Sequence, residues 1–177
     1  LQRAPAVASR LKRVVEFRGA GADAPAAYVR FEGFNVTHVA PTYMDPYEVP
    51  SGGDWSLHRG GAVYLENAVG IELTGVSFDQ LGGNGVVMSD YVRHSAARAS
   101  TFWRTGDSAI ILVGSSKGNN GTAETYPAFN DVSSNWIDTV GVNTKQTSCV
   151  FNGVTYANNV TNNVCYNGPR AGINWND

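Results

Sequence analysis

Phe78–Met88 (FDQLGGNGVVM) and Phe102–Leu112 (FWRTGDSAIIL) align without a gap and lie 24 residues apart. Each segment runs from a phenylalanine through a turn glycine, Gly82 or Gly106, into an apolar strand. Internal similarity at a fixed period is typical of repeat architectures. The sequence around these two segments therefore has to be searched for further copies.

Two further copies follow. The third begins at Ile137–Gly141 and resumes, after three inserted residues, at Lys145–Phe151, and the fourth covers Val164–Trp175. The four turn glycines are spaced by 24, 35 and 27 residues. A period in the mid-twenties, with short strands and Asn-rich turns, predicts an all-β fold, a right-handed parallel β-helix built as a single-stranded solenoid. A propeller needs a longer period and antiparallel blades, and leucine-rich repeats need a Leu-x-x-Leu-x-Leu frame that the chain lacks.

The repeat predicts one β-helix domain over residues 1–177, with an irregular N-terminal segment at 1–13 and an inserted loop at 115–130. Stacking of the four copies predicts two interior columns of small or apolar side chains. These columns are Gly85, Ala109, Thr147 and Ala171, and Val87, Ile111, Cys149 and Ile173. Cys149 is thus predicted to be a buried core thiol. Cys165 falls near the Phe78 and Phe102 positions, which leaves a disulfide between the two cysteines open.

Composition excludes some function classes. Charged residues make up 16% of the 177 residues and the formal net charge is −2, which disfavours a nucleic-acid-binding protein because such proteins carry a basic surplus. No stretch approaches the roughly 18 apolar residues of a membrane span. His38 and His94 stand without the spacing of metal ligands, so no metal site is predicted.

Polar residues recur at matching points of the four copies. Gly83, Asp107, Lys145 and Pro169 form one column, and Asn84, Ser108, Gln146 and Arg170 form the next. Strands of adjacent coils lie about 4.8 Å apart, so this alignment predicts that Asp107, Lys145 and Arg170 lie close together. They form either a functional group or an ordinary surface ion pair.

A second cluster contains Trp55, His58 and Arg59 beside a glycine turn. An aromatic face can stack on a pyranose ring while arginine binds hydroxyls or carboxylates. The cluster is either such a sugar platform or a turn whose tryptophan covers the end of the core. Asn174 is predicted, by strand alternation, to point outward with Arg170.

The acidic residues permit two reactions. A glycosidase needs two carboxyl groups about 5–9.5 Å apart, and Asp79, Asp107 and Asp177 are the candidates for this pair. A lyase needs a Lys or Arg base and, in this architecture, acids that bind Ca²⁺, for which Asp107, Lys145 and Arg170 are the candidates. The residues alone do not choose between the two.

Five blocks of the sequence carry a resemblance to a known family. They are THVAPTYMDPYEVPSGGDWSLHRGGAVYLE from Thr37, FDQLGGNGVVMSDYVR from Phe78, WRTGDSAIILVGSS from Trp103, KQTSC from Lys145 and VCYNGPRAGINWND from Val164. Together they resemble secreted right-handed β-helix proteins of the pectate-lyase-like superfamily, similar to β-helix glycoside hydrolases of the α-L-fucosidase/xylanase type. The resemblance implies a carbohydrate substrate, catalytic aspartates and further coils after the last block, so that the β-helix is expected to be incomplete at its C-terminal end.

The predicted function is that of an extracellular, carbohydrate-active β-helix protein with a polysaccharide or oligosaccharide partner. Glycoside hydrolysis is preferred to lyase chemistry, and a non-catalytic glycan-binding or structural β-helix is the alternative. The candidate catalytic residues are Asp107, Asp79 and Lys145. No cofactor is predicted, except Ca²⁺ if the protein is a lyase. The candidate substrate-binding residues are Asn84, Gln146, Arg170, Asn174, Trp55, His58, Arg59 and Asp177.

Overall fold

A computed structural model of the protein describes residues 6–48, 55, 57–115 and 124–176. Regular structure in these residues consists of β-strands that stack into three parallel sheets. The chain visits a long sheet, a second sheet and a third sheet in turn, and then begins the next coil. This confirms the predicted parallel β-helix.

The long sheet contains β1 (Val15–Arg18), β2 (Ala26–Ala27), β5 (Gly61–Val69), β8 (Asn84–Arg93), β11 (Ile110–Val113), β14 (Ser148–Gly153) and β17 (Ala171–Asn176). The second sheet contains β3 (Arg30–Glu32), β6 (Glu72–Thr74), β9 (Ala96–Arg98), β12 (Asp131–Ser133) and β15 (Asn159–Thr161). The third sheet contains β4 (Asn35–Val39), β7 (Ser77–Leu81), β10 (Thr101–Thr105), β13 (Trp136–Asp138) and β16 (Val164–Tyr166). The described part of the chain has no helix that is long and apolar enough to cross a membrane.

The interior is filled by columns of side chains that run from coil to coil. Phe78 and Phe102 occupy paired positions of β7 and β10, and their rings stack with centroids 4.5 Å apart. Ile137 and Cys165 continue this column in β13 and β16. Equivalent residues of successive coils lie above one another, so their interior side chains stack and form the core. The β-helix therefore needs no helix packed against a sheet.

Asparagines hold the corner between the second and third sheets. Asn135 donates from Nδ2 to the carbonyl of Ala97 at 2.9 Å, and its Oδ1 accepts from the backbone N–H of Ser100 at 3.0 Å. The backbone N–H of Asn135 in turn donates to Oδ1 of Asn163 in the next coil, at 3.0 Å. Asn130 and Asn158 repeat this arrangement at the corner before the second sheet. The abundance of asparagine at turns thus reflects buried backbone groups that need partners.

The predicted alignment of the third and fourth copies is wrong in register. Ile111 lies beside Phe151, not Cys149, and Ile173 lies beside Val150, not Cys149. The insertion after Gly141 therefore has five residues rather than three. The neighbour of Ser108 in the next coil is consequently Ser148, whose N–H donates to Ser108 Oγ at 3.3 Å, and not Gln146.

The second predicted interior column is also misplaced. Val87, Ile111 and Phe151 are buried, but they lie on the outer face of the long sheet, where they pack with Leu57 and Trp55. The alternate residues Val86, Ile110 and Val150 face the interior. The outer face is apolar at these positions because Leu57 and Trp55 cover it.

The two cysteines form a disulfide, Cys149–Cys165, across 16 residues of sequence. The prediction of a free core thiol at Cys149 is therefore wrong, although its position is fully buried as expected. Cys165 occupies the Phe78/Phe102 column, and its side chain reaches β14 across the interior.

Candidate functional site

The covering segment, residues 41–60 as far as they are described, is fastened to the long sheet by Arg59. The guanidinium donates to Ser89 Oγ at 2.8 Å and to the carbonyl of Gly114 at 2.7 Å. Nε and Nη2 also donate to the two carboxylate oxygens of Glu48, at 2.8 and 3.0 Å. Arg59 therefore uses its donors within the protein and joins the segment to two coils.

Trp55 and Arg170 meet at the edge of the covering segment. The guanidinium of Arg170 lies 3.9 Å from the centroid of the Trp55 ring, and Trp55 packs against Phe151 with centroids 6.1 Å apart. Arg170 also donates to the side-chain oxygen of Gln146. Three predicted substrate-binding residues, Trp55, Gln146 and Arg170, are therefore brought together.

An open cleft of about 610 Å³ lies between the N-terminal residues and the covering segment. Its lining has four cationic side chains, two carboxylates and the imidazole of His58. The lining residues are Arg10, Leu11, Lys12, Arg13, Asp45, Pro46, Glu48, His58, Arg59 and Gly60. The charged lining thus has a surplus of two positive charges, which suits an anionic ligand.

The imidazole of His58 is neutral at neutral pH because burial lowers its pKa from the ordinary value of 6.5. Nδ1 accepts from the N–H of Gly60 at 2.8 Å, so the ring proton of the neutral form lies on Nε2. Nε2 is 3.5 Å from Asp45 Oδ2. A hydrogen bond from the Lys12 ammonium lowers the pKa of Asp45. The cleft therefore presents Asp45 as a carboxylate already held by Lys12.

Asp107 lies in the turn after β10 and is 2% exposed. Its Oδ1 accepts from the N–H of Ser108 at 3.0 Å, and Thr144 donates a second hydrogen bond. Burial nevertheless raises the pKa of Asp107 to about 7. A buried carboxyl group that titrates near neutral pH is a frequent feature of functional sites, but ordinary turns also contain them.

Tyr47 links Asp107 to the cleft. Burial raises the pKa of the Tyr47 phenol, and the charges of Asp107 and Asp45 raise it further. Its ring lies 6.0 Å from the ring of His58, centroid to centroid, and its hydroxyl donates to the carbonyl of Tyr43 at 2.8 Å. The side chain is 40% exposed, so a ligand can reach it.

The other two predicted catalytic residues are engaged elsewhere. Asp79 lies on the outer face of the third sheet and accepts two hydrogen bonds of 2.8 Å from Arg104. Lys145 donates from Nζ to the carbonyls of Gly141, at 2.6 Å, and Val142, at 3.1 Å. Because Asp79 is on a sheet face and Asp107 is buried in a turn, the structure does not present these two carboxyl groups to one sugar.

Two predicted binding residues have structural contacts. Asn84 is fully buried and donates to the carbonyls of His58 and Gly60 at 2.7 and 2.9 Å. Asn174 lies on the outer face beside Phe151. Asp177, predicted as a third acid, lies outside the described residues.

The sequence-based site omitted Tyr47 and the N-terminal cations Arg10, Lys12 and Arg13. The pattern offered one signal for the cations, a run of positive charge before the first strand. No sequence pattern indicated Tyr47, because its proximity to Asp107 depends on the path of residues 41–48, which belong to no repeat. No group of three or more His, Cys, Asp or Glu side chains able to hold a metal is found in the part of the chain that the structure describes.

Comparison with known proteins gives one structural likeness. No family model and no curated protein sequence matches the chain. The structure is similar to the crystal structure of an alginate lyase from Paenibacillus sp. str. FPU-7, with a TM-score of 0.43 and 18% sequence identity. The similarity covers 86% of this chain and 60% of the lyase chain. The chain therefore spans less than two thirds of the length of the solved structure that it resembles.

Proposed function

We propose that this protein is a carbohydrate-active β-helix whose cleft binds an acidic polysaccharide. The observation that carries the proposal is the charge of the cleft, in which Arg10, Lys12, Arg13 and Arg59 outnumber Asp45 and Glu48. A polyuronate carries a carboxylate on each sugar, so a cationic cleft favours it over a neutral glycan. We also propose that the protein acts outside the cell, which the disulfide supports because such bonds persist in oxidising compartments.

We propose β-elimination as the reaction, in place of hydrolysis. Hydrolysis needs two carboxyl groups that flank one glycosidic bond, and Asp79 and Asp107 do not share a cleft. Elimination needs instead a cation that neutralises the uronate carboxylate, a base and an acid. The cleft offers the cations, and Tyr47 beside it offers the acid.

The elimination conserves atoms and charge without water. A base takes the proton from the carbon next to the uronate carboxylate, and the electron pair of that C–H bond becomes a C=C bond. The glycosidic oxygen leaves with its bonding electrons and takes up a proton. Tyr47 suits this last role, since its raised pKa keeps the phenol protonated. The base is not assigned, because Lys145, one of the two candidate bases, donates to the carbonyls of Gly141 and Val142 and does not line the cleft.

The test compares two assays on polyuronates. Elimination creates an unsaturated sugar that absorbs ultraviolet light and also a reducing end, whereas hydrolysis creates the reducing end alone. We expect both signals from the wild-type protein, and a loss of both in Tyr47→Phe with binding unchanged. Reducing ends without absorbance would overturn the elimination, and the same assay with a chelator tests a Ca²⁺ requirement.

Binding is tested separately with Arg10→Ala. Loss of one cation from the cleft should weaken polyuronate binding about fivefold at low salt, and added salt should reduce that difference. Arg30→Ala removes a cation from β3, away from the cleft, and is the matched control. Equal losses in both variants, or no binding by the wild-type protein, would contradict the proposed site.

A further inference from the structure

The outer face of the third sheet carries exposed aromatic side chains that no part of the proposed cleft uses. Trp103 is 50% exposed, Trp136 is 56% exposed and Tyr166 is 38% exposed. They belong to the successive strands β10, β13 and β16. We call these three residues, with Asp79, Arg104 and Asp138 between them, the aromatic face.

Strand pairing sets the spacing of the three rings. Trp103 is paired with Asp138, and Asp138 is paired with Tyr166. Trp136 precedes Asp138 by two residues, so it lies diagonally from Trp103 on the same face. Neighbouring strands lie about 4.8 Å apart, so the rings form a staggered group along the solenoid axis, in which Trp136 is offset by two residues and its ring centroid lies 6.1 Å from that of Tyr166.

Neighbouring side chains hold each ring in place. The indole N–H of Trp136 donates to the hydroxyl of Tyr166 at 2.8 Å, and the Tyr166 hydroxyl bonds to Asp138. The guanidinium of Arg104 lies 4.0 Å from the centroid of the Trp103 ring while it binds Asp79 through both carboxylate oxygens. Rings that are ordered before binding lose less conformational entropy when a ligand arrives.

The charges of the aromatic face select among ligands. Two carboxylates, Asp79 and Asp138, face one cation, Arg104, so the face has a surplus of one negative charge. A hydrogen bond from Asn167 lowers the pKa of Asp138 and keeps it ionised. This surplus disfavours a polyuronate or a nucleic acid, in contrast to the cationic cleft.

The mixture of rings and charges also distinguishes a sugar from a protein partner. The centre of a protein interface is depleted of charged residues, but here the ion pair and Asp138 lie among the rings. A pyranose offers C–H groups on its faces, which pack on indole, and hydroxyls at its edges, which bond to carboxylates. We propose that the aromatic face binds a neutral polysaccharide chain by stacking Trp103 and Trp136 on its pyranose rings.

This surface is independent of the cleft. Strands β7, β10, β13 and β16 present it on the third sheet, whereas the cleft lies between the N-terminal residues and the covering segment on the long sheet. A neutral chain held at the aromatic face would keep the cleft close to mixed polysaccharides in which acidic and neutral chains occur together. The two proposed sites therefore differ in the charge of their ligands. An experiment can refute binding at one site without affecting the proposal for the other.

The test is affinity electrophoresis of the whole protein in gels that contain xylan, β-glucan or mannan. We expect retardation by at least one of these neutral glycans, weakened about tenfold in Trp103→Ala and in Trp136→Ala. Phe129→Ala is the matched control, because Phe129 is 49% exposed and lies on a different side of the solenoid. Retention of polyuronate binding by the tryptophan variants shows that they are folded and that the cleft is separate.

Three outcomes would overturn the inference. They are no retardation of the wild-type protein by any neutral glycan, equal loss in Phe129→Ala, and retardation that persists in the Trp103→Ala/Trp136→Ala double variant. A concentration-dependent dimer that the double variant abolishes would instead assign the aromatic face to a second copy of the chain.

Discussion

Asp107 couples the stability of the protein to pH. Burial raises its pKa from 3.8 to about 7, so the folded protein binds this proton more tightly than the unfolded chain. The contribution to the free energy of unfolding is complete below about pH 4 and is lost as pH rises through about 7. We expect Asp107→Asn to remove this decline, because asparagine retains an oxygen for the N–H of Ser108 but does not ionise.

Urea denaturation at several pH values checks this prediction. Wild-type stability should fall more steeply than that of Asp107→Asn between about pH 4 and pH 7, by a few kcal/mol at most. Asp23→Asn removes a carboxylate from an exposed turn after β1 and is the control for the change in net charge. Parallel pH profiles for wild type and Asp107→Asn would contradict a raised pKa.

Single residues differ in how far the sequence predicts them. Trp103 and Trp136 were predictable, because each flanks an interior residue of a strand, Phe102 or Ile137, and alternation turns them outward. The partners of Asp107 were not, because a change of two residues in register replaces every neighbour of a turn residue. A residue's face follows from local pattern, whereas its partner depends on the exact length of an insertion.

At the scale of elements, the covering segment depends on Arg59. Arg59→Met keeps an unbranched side chain but removes the donors to Ser89, Gly114 and Glu48. The buried carbonyl and Glu48 then lose a charged partner, which costs about 2–3 kcal/mol. We expect a matching decrease in the free energy of unfolding and a change in Trp55 fluorescence below the unfolding transition.

Arg30→Ala is the control for that measurement as well. Arg30 binds Glu72 at 2.7 Å, but its side chain is 65% exposed, so solvent screens the pair and it should contribute little to stability. If both variants lose the same stability, Arg59 does not fasten the segment.

Elements with a regular period were predictable and inserted elements were not. β8 and β11 share a pattern that recurs after 24 residues, and their register agrees with it. The covering segment belongs to no repeat, and Arg59 contacts residues that lie 30 and 55 positions away. This is why Val87 and Ile111 were predicted inside the solenoid, since strand alternation does not reveal that a distant segment buries the other face.

At the scale of the whole molecule, the strands of each coil pair with those of the neighbouring coils. The pairings run from β4 to β7, β10, β13 and β16 in order, and the other two sheets follow the same sequence of coils. The fold was therefore predictable from the repeat alone, because every coil packs on its neighbours through equivalent residues. The same organisation implies that damage to one coil stays local.

The disulfide offers a test of that locality. Cys149 and Cys165 close a loop of 16 residues, and such a cross-link contributes about 3 kcal/mol by restricting the unfolded chain. Because the bond joins β14 to β16, its reduction should release the coils that contain β14–β17, while β7 and β8 keep their own neighbours. Hydrogen exchange with and without reductant should therefore show a loss of amide protection that is largest in β14–β17 and small in β7 and β8. A Cys149→Ser/Cys165→Ser double variant should show the same gradient without reductant. A uniform loss across all coils would mean that the solenoid unfolds as one cooperative unit, in which case stability is shared along its length and is not a sum over neighbouring coils.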